Sequence, residues 1–134
     1  MTVQFSIAVR NARISAIEST VGASPKLQLR TGAQAASCAA AASGTLLAEL
    51  TLPSDWAGTP DNGQAVIAGS WSGLGIADGT VGHYRLVDNA GTTCHEQGSV
   101  GLTDSGEDLE VDDNVVAVDK EINITTWTKI DGNA

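Results

Sequence analysis

Aromatic side chains are scarce in this chain: three Trp, one Tyr and one Phe among 134 residues. The interior must therefore be filled mostly from Ala, Val, Ile and Leu, and the expected core is thin and built from small side chains. Basic residues are also few, seven against sixteen acids, for a formal charge of −9. A surface of that sign repels a phosphate backbone, which argues against nucleic acid as a partner and favours basic protein surfaces. No apolar run approaches the roughly 20 residues that span a bilayer, so no membrane partner is expected. The start, MTVQFSIAVRNAR, lacks the basic segment, apolar stretch and small-residue cleavage site of a secretory signal. The expectation is a protein that stays where it is made or leaves inside a larger particle.

Cysteine is nearly absent as well. Cys38 and Cys94 permit one disulfide but no disulfide framework. In a reducing cytoplasm the expected state is two free thiols packed as small apolar groups.

What is present reads as one domain, 1–134, with a helix at about 6–20 and a β-sandwich at about 26–131. Ile7, Ile14, Ile17 and Val21 fall on one stripe at helical spacing, Ser6 suits the N-cap and Gly22 the stop. Arg10 lies on the same stripe, and its aliphatic stem is expected along the seam with the charge reaching out. After Gly22 the period changes to two. KLQLR (26–30) places Leu27 and Leu29 on one face, and TLLAELTL (45–52) is a longer apolar strand ending at Pro53. The Ala-rich stretch 31–44 between them reads as an extended loop, with a short helical turn of its alanines as the alternative. Residues 54–63 read as a surface loop, 64–71 as a strand and 73–79 as a glycine-rich break.

The clearest hairpin signal is Asp88-Asn89-Ala90-Gly91, flanked by strands at 83–87 and 92–100. With Asn89 and Ala90 as its loop, Tyr84 would face His95 and Arg85 would face Cys94. Strands at 108–112, 115–118 and 121–130 complete about eight short segments. The expected fold class is mostly β, an antiparallel β-sandwich or jelly-roll-like domain with one N-terminal α-helix.

Signals for chemistry are weak. Gly69-Ser70-Trp71-Ser72-Gly73 has Trp where a nucleophile elbow needs Ser. Cys94 and His95 are neighbours on a strand and point to opposite faces, so they cannot form a dyad with each other. The spacing of two His and two Cys matches no compact zinc motif. The run DSGEDLEVDD (104–113) holds six carboxylates, yet Asp108, Glu110 and Asp112 alternate with Leu109 and Val111, as on the wet face of a strand rather than in a calcium loop. In EINITTWTKI (121–130) the same alternation puts Ile122, Ile124 and Ile130 on one face and Trp127 on the other. No cofactor, metal or catalytic set is expected. The candidate interface residues are Ile7, Arg10, Ile14 and Ile17 on the helix, with Trp56, Trp71 and Trp127 as aromatic anchors or as stacking faces for a glycan, Trp127 alternatively packing in the core under a neighbouring loop.

The segments VQFSIAVRNARISAIEST, PKLQLRTG, LLAELTLPSDW, GTVGHYRLVDNAGTTCHEQGSV and KIDGNA together resemble small proteins of tailed bacteriophages and prophages. The resemblance spans nearly the whole chain. It implies a virion structural protein, not an enzyme, assembled in the bacterial host cytoplasm. The implied role is a capsid decoration or cement protein, with the major capsid protein or other virion proteins as partners and a homo-oligomeric state. The alternative is a tail or head-fibre module that binds a host glycan or protein receptor.

Overall fold

The computed structural model describes residues 3–131; the end of the KIDGNA segment lies outside them. One helix, α1 (Ile7–Val21), precedes ten strands: β1 (Lys26–Arg30), β2 (Leu46–Thr51), β3 (Gln64–Val66), β4 (Ser72–Leu74), β5 (Gly79–Thr80), β6 (His83–Val87), β7 (Cys94–Leu102), β8 (Leu109–Val111), β9 (Val115–Val116) and β10 (Glu121–Ile130). Among the described residues no helix is long and apolar enough to cross a membrane.

Both helix caps form as their residue types dictate. The Ser6 hydroxyl accepts the Val9 N–H at 3.2 Å, and Gly22, at φ 91°, returns its N–H to the Glu18 carbonyl at 2.9 Å. The apolar stripe is only partly used: Ile14 and Val21 are buried, Ile17 is half-buried and Ile7 is exposed. The reason is how α1 is held. Arg10 donates from Nε to the Asp131 carbonyl at 2.6 Å and from Nη2 to the Asn62 carbonyl at 3.3 Å. Asn11 accepts the Gly63 N–H at 2.8 Å, and Glu18 accepts the Ala57 N–H at 2.9 Å. The helix is thus braced on the 57–63 segment by polar contacts. Arg10 is a clamp rather than a stem laid along an apolar seam.

The strands form one eight-stranded sheet in the order β2-β1-β6-β7-β8-β10-β3, with β4 also paired to β10, and β5 and β9 form a separate ribbon. The class expectation holds: the chain is mostly β with one helix, and the sheet is a curled, mixed half-barrel. The expected all-antiparallel pairing is corrected at one place, where β7 and β8 run parallel. The curl brings the far side of the sheet round to β2, where Ala48 bridges Gly75 and Ile76 donates to the Leu47 carbonyl at 2.8 Å. This contact corrects the expected break at 73–79, whose first residues are strand β4 instead. Its glycines are packing residues: a Cβ on Gly73 would press on Leu50, and one on Gly75 would overlap the Ala117 carbonyl.

Two register details differ from expectation. In the β6–β7 hairpin Tyr84 faces Gly98 and Arg85 faces Gln97, with Val87 opposite Cys94. The loop is longer than two residues because the Asp88 carboxylate accepts the N–H groups of Thr92 at 2.8 Å and Thr93 at 3.2 Å, and Asp88 N–H closes on the Thr93 carbonyl at 3.0 Å. In β10 the ladder shifts between Ile124 and Thr126. That bulge changes the parity of the strand, so Trp127 joins Ile122 and Ile124 in the core while Ile130 is exposed.

The outer face of β1 and β6 is covered too. Glu49, Gln28, Arg85 and Gln97 form one cross-strand row over β2, β1, β6 and β7. The 31–44 loop folds over this row: Arg85 donates to the carbonyls of Cys38 at 3.1 Å and Ala40 at 3.2 Å, and Gln97 donates to Ala35 at 2.7 Å. The same loop is tied down covalently, because Cys38 and Cys94 are disulfide-bonded with Cα atoms 5.1 Å apart. The expectation of two free thiols is therefore corrected. Covering both faces explains why β6 is buried at every position and why Gln28 is buried between Leu27 and Leu29.

Candidate functional site

The residues expected to form an interface separate into two groups. Trp56, Trp71 and Trp127 are each 2% exposed or less and pack on one another, with ring centroids 5.4 to 5.9 Å apart. Each indole N–H is satisfied internally, by the Gly22 carbonyl at 2.9 Å, the Trp56 carbonyl at 3.1 Å and the Glu96 carboxylate at 2.9 Å respectively. These contacts correct their assignment as surface anchors. None presents a face on which a sugar could stack, and three tilted or edge pairs contribute about 1 kcal/mol each beyond their buried area. Scarce aromatics are spent at the centre of the core, where they supply volume that aliphatic side chains lack. Residues 54–63 follow from this, since Trp56 pulls an expected surface loop inward.

Of the helical candidates only Ile7 is exposed; Ile14 is buried, which corrects its assignment, and Arg10 and Ile17 are half-buried. Ahead of α1 and over its first turn the chain exposes Val3, Phe5, Ile7 and Val9, with Val3 at 70% and Ile7 at 51% of full exposure. Arg13 lies 5.1 Å from the centroid of the Phe5 ring and pairs with Asp131 at 3.0 Å, so this apolar surface stands on a braced helix. Further along α1, Ile17 and Val21 line a hollow of about 450 Å³ together with Arg13, Thr20, His95 and Glu96. A second exposed apolar group, Leu74, Ile76 and Val118, lies on two segments joined by the hydrogen bonds of Gly75 to Lys120 and of Asp119 to Gly75, both 2.8 Å. Sequence reasoning missed this second group because its residues sit in what reads as a glycine-rich break and a strand end.

The groups with intrinsic chemistry do not converge. Both cysteines are in the disulfide. His83 is buried, and its Nδ1 donates to the Gly32 carbonyl at 2.9 Å while Nε2 has no partner among the described residues. His95 is half-buried beside Glu96 in the hollow under α1. Among the described residues, no three His, Cys, Asp or Glu side chains are placed to hold a metal ion.

The acidic run works locally. Asp108 accepts the Ser99 N–H at 3.0 Å and Asp112 accepts the Asn123 N–H at 3.1 Å. Leu109 and Val111 face inward as the alternation predicts, but Glu110 is also buried. Main-chain donors at Gly106 and Asp104 hold its carboxyl below the usual range. Asp113 is held low by the hydrogen bond from Lys120 and then by the Val115 N–H. No family model, curated protein or solved structure matches this chain.

Proposed function

We propose that this chain is a bacteriophage virion structural protein, a capsid decoration or cement protein that binds across major capsid protein subunits. The observation that supports this reading best is the exposure of Val3, Phe5, Ile7 and Val9 ahead of and in the first turn of a helix that Arg10, Asn11 and Glu18 brace to the 57–63 segment and Asp131. Exposed apolar side chains gathered ahead of and around one helical turn supply surface that docking would bury. A braced platform loses little conformational entropy on docking, so more of the burial energy remains as affinity. The second apolar group around Leu74, Ile76 and Val118 offers a separate contact, as a part that bridges neighbouring subunits or copies of itself requires. The virion setting rests on the sequence resemblance, and grouping the curled sheet with jelly-roll-like sandwiches belongs to the same proposal.

Quantitative mass spectrometry of purified particles tests it. The chain is expected in fixed stoichiometry with the major capsid protein, and Ile7→Asp combined with Val9→Asp should remove it from particles while leaving the isolated protein folded. Its absence from particles, or its presence in a handful of copies, would overturn the cement role.

A further inference from the structure

Arg30 and Arg85 line one cavity of about 470 Å³, bounded by β1, β6, the 39–42 segment and the hairpin loop at Gly91 and Thr92. Arg85 is 6% exposed. Among the described residues neither arginine has a carboxylate within 4.0 Å, whereas Arg13, Lys120 and Lys129 each have one. Arg85 meets only neutral acceptors: the Gln97 side chain at 3.2 Å and the Cys38 and Ala40 carbonyls. Arg30 donates from Nε to Gln28 at 3.1 Å, and no acceptor among the described residues takes its two Nη groups. Glu49, the acid whose charge reaches Arg30, accepts from Gln28 at 3.0 Å. Two guanidiniums thus share a cavity with no counter-ion of their own, in a chain whose net charge is −9. Arg85 is buried and Arg30 half-buried, and a buried charge is ordinarily paired with an opposite one, because desolvation without compensation is costly. Burial and the nearby Arg85 charge also hold the Arg30 guanidinium below its ordinary value, with Glu49 opposing.

Arg85 alone could be explained as a staple for the 31–44 loop, since its carbonyl contacts do that. The staple leaves Arg30 unexplained, although it lines the same space. The rest of the wall is mixed, polar at Gln28 and Thr92 and apolar at Ala39, Ala41, Ala42 and Val87, and the Cys38–Cys94 disulfide fixes the rim. We propose that the cavity is a binding site for a small oxyanion-bearing molecule. A carboxylate or phosphate head would sit between Arg30 and Arg85, with a short apolar body against the alanines. Guanidinium forks suit planar and tetrahedral oxyanions, and the volume falls within the range of about 300–1,000 Å³ typical of small-molecule sites. This site is separate from the apolar docking surface and does not depend on it.

Calorimetric titration of the full chain with inorganic phosphate and with butyrate, chloride keeping the ionic strength constant, tests the assignment. Saturable binding at one site per chain is expected for at least one probe, and the preferred probe identifies the head group. Arg30→Gln should weaken binding by about tenfold or more, the loss of one charge-assisted contact. Arg85→Lys, which keeps the charge but loses the fork, should also weaken it, and Arg13→Gln should leave it unchanged. Circular dichroism checks that each variant is folded, and Arg30→Gln decides the matter if Arg85→Lys is not. The assignment is overturned by no saturable binding of either probe to the unmodified chain, by affinity that survives Arg30→Gln, or by an equal loss in Arg13→Gln, which would reflect net charge alone.

Discussion

The Glu96 carboxylate accepts the indole N–H of Trp127 at 2.9 Å. The same oxygen accepts the Tyr84 hydroxyl, and the other oxygen pairs with Lys129 at 3.0 Å. The Lys129 ammonium in turn lies 5.2 Å from the centroid of the Trp127 ring. Strand β8 pairs with β7 only from Val100 onward, so at Glu96 no strand of the described residues lies between β7 and β10. The side chain closes that gap. Replacing it by Ala leaves two buried donors and a cation unmatched, and Glu96→Ala should lower the unfolding free energy by about 3 kcal/mol. Glu96→Gln keeps an acceptor without the charge and should cost about half of that. Urea unfolding should rank unmodified chain above Gln above Ala, and an Ala variant of undiminished stability would refute this role.

Tyr84 carries a pH dependence of known sign. Burial, followed by the Glu96 charge and hydrogen bond, raises its phenol well above the ordinary 10.0. The unfolded chain therefore releases this proton first. The stability contribution is complete below pH 10 and declines as the pH climbs from there toward the raised folded value. As Tyr84 is the sole tyrosine, tyrosinate absorbance should appear together with loss of tertiary circular dichroism, in one transition. Titration near pH 10 in the folded protein would contradict the burial argument.

The Cys38–Cys94 bond closes a loop with a sequence separation of 56 residues. On the chain-entropy account its removal should cost about 4 kcal/mol. Beyond that, the 31–44 loop would be kept over the outer face by its hydrogen bonds with His83, Arg85 and Gln97. Guanidinium unfolding with and without reductant, or of Cys38→Ser with Cys94→Ser, should show a lower midpoint in the reduced or Ser form. An unchanged midpoint would mean that the loop is held by hydrogen bonds alone.

Gly75 sits where the curl meets β2, and an added Cβ would run into the Ala117 carbonyl. Gly75→Ala should therefore destabilise by about 1–3 kcal/mol through overpacking. Gly91→Ala is the contrast. It meets no neighbour but has φ 77°, so its cost is the left-handed backbone alone, about 1 kcal/mol. Thermal unfolding should place Gly75→Ala below Gly91→Ala.

Much of the local structure was legible from residue types. Ser6 and Gly22 bound α1, alternation marked Leu27 and Leu29, and the 121–130 run is one strand throughout. One further local signal lies inside the expected surface loop. Asn62-Gly63, with both residues at positive φ, forms the tight turn that pairs Asp61 with Gln64, so part of the expected surface loop is a hairpin. Of the candidate interface residues Ile7 is exposed, while the tryptophans are in the core, because a hydrophobic ring suits a core and a docking face equally well.

Composition and short-range pattern determined by themselves that this chain is mostly β, with one capped helix at its start and an acidic surface. Only the tertiary structure decided which faces are buried. The bulge at Thr125 turns Trp127 inward, the Ala-rich loop covers Gln28 and Arg85, and the two cysteines meet across 56 positions. Caps and alternation depend on neighbours a few residues away and are written locally. Strand parity, a second covering layer and a cross-link depend on partners far along the chain, whose approach is set by the curl of the whole sheet.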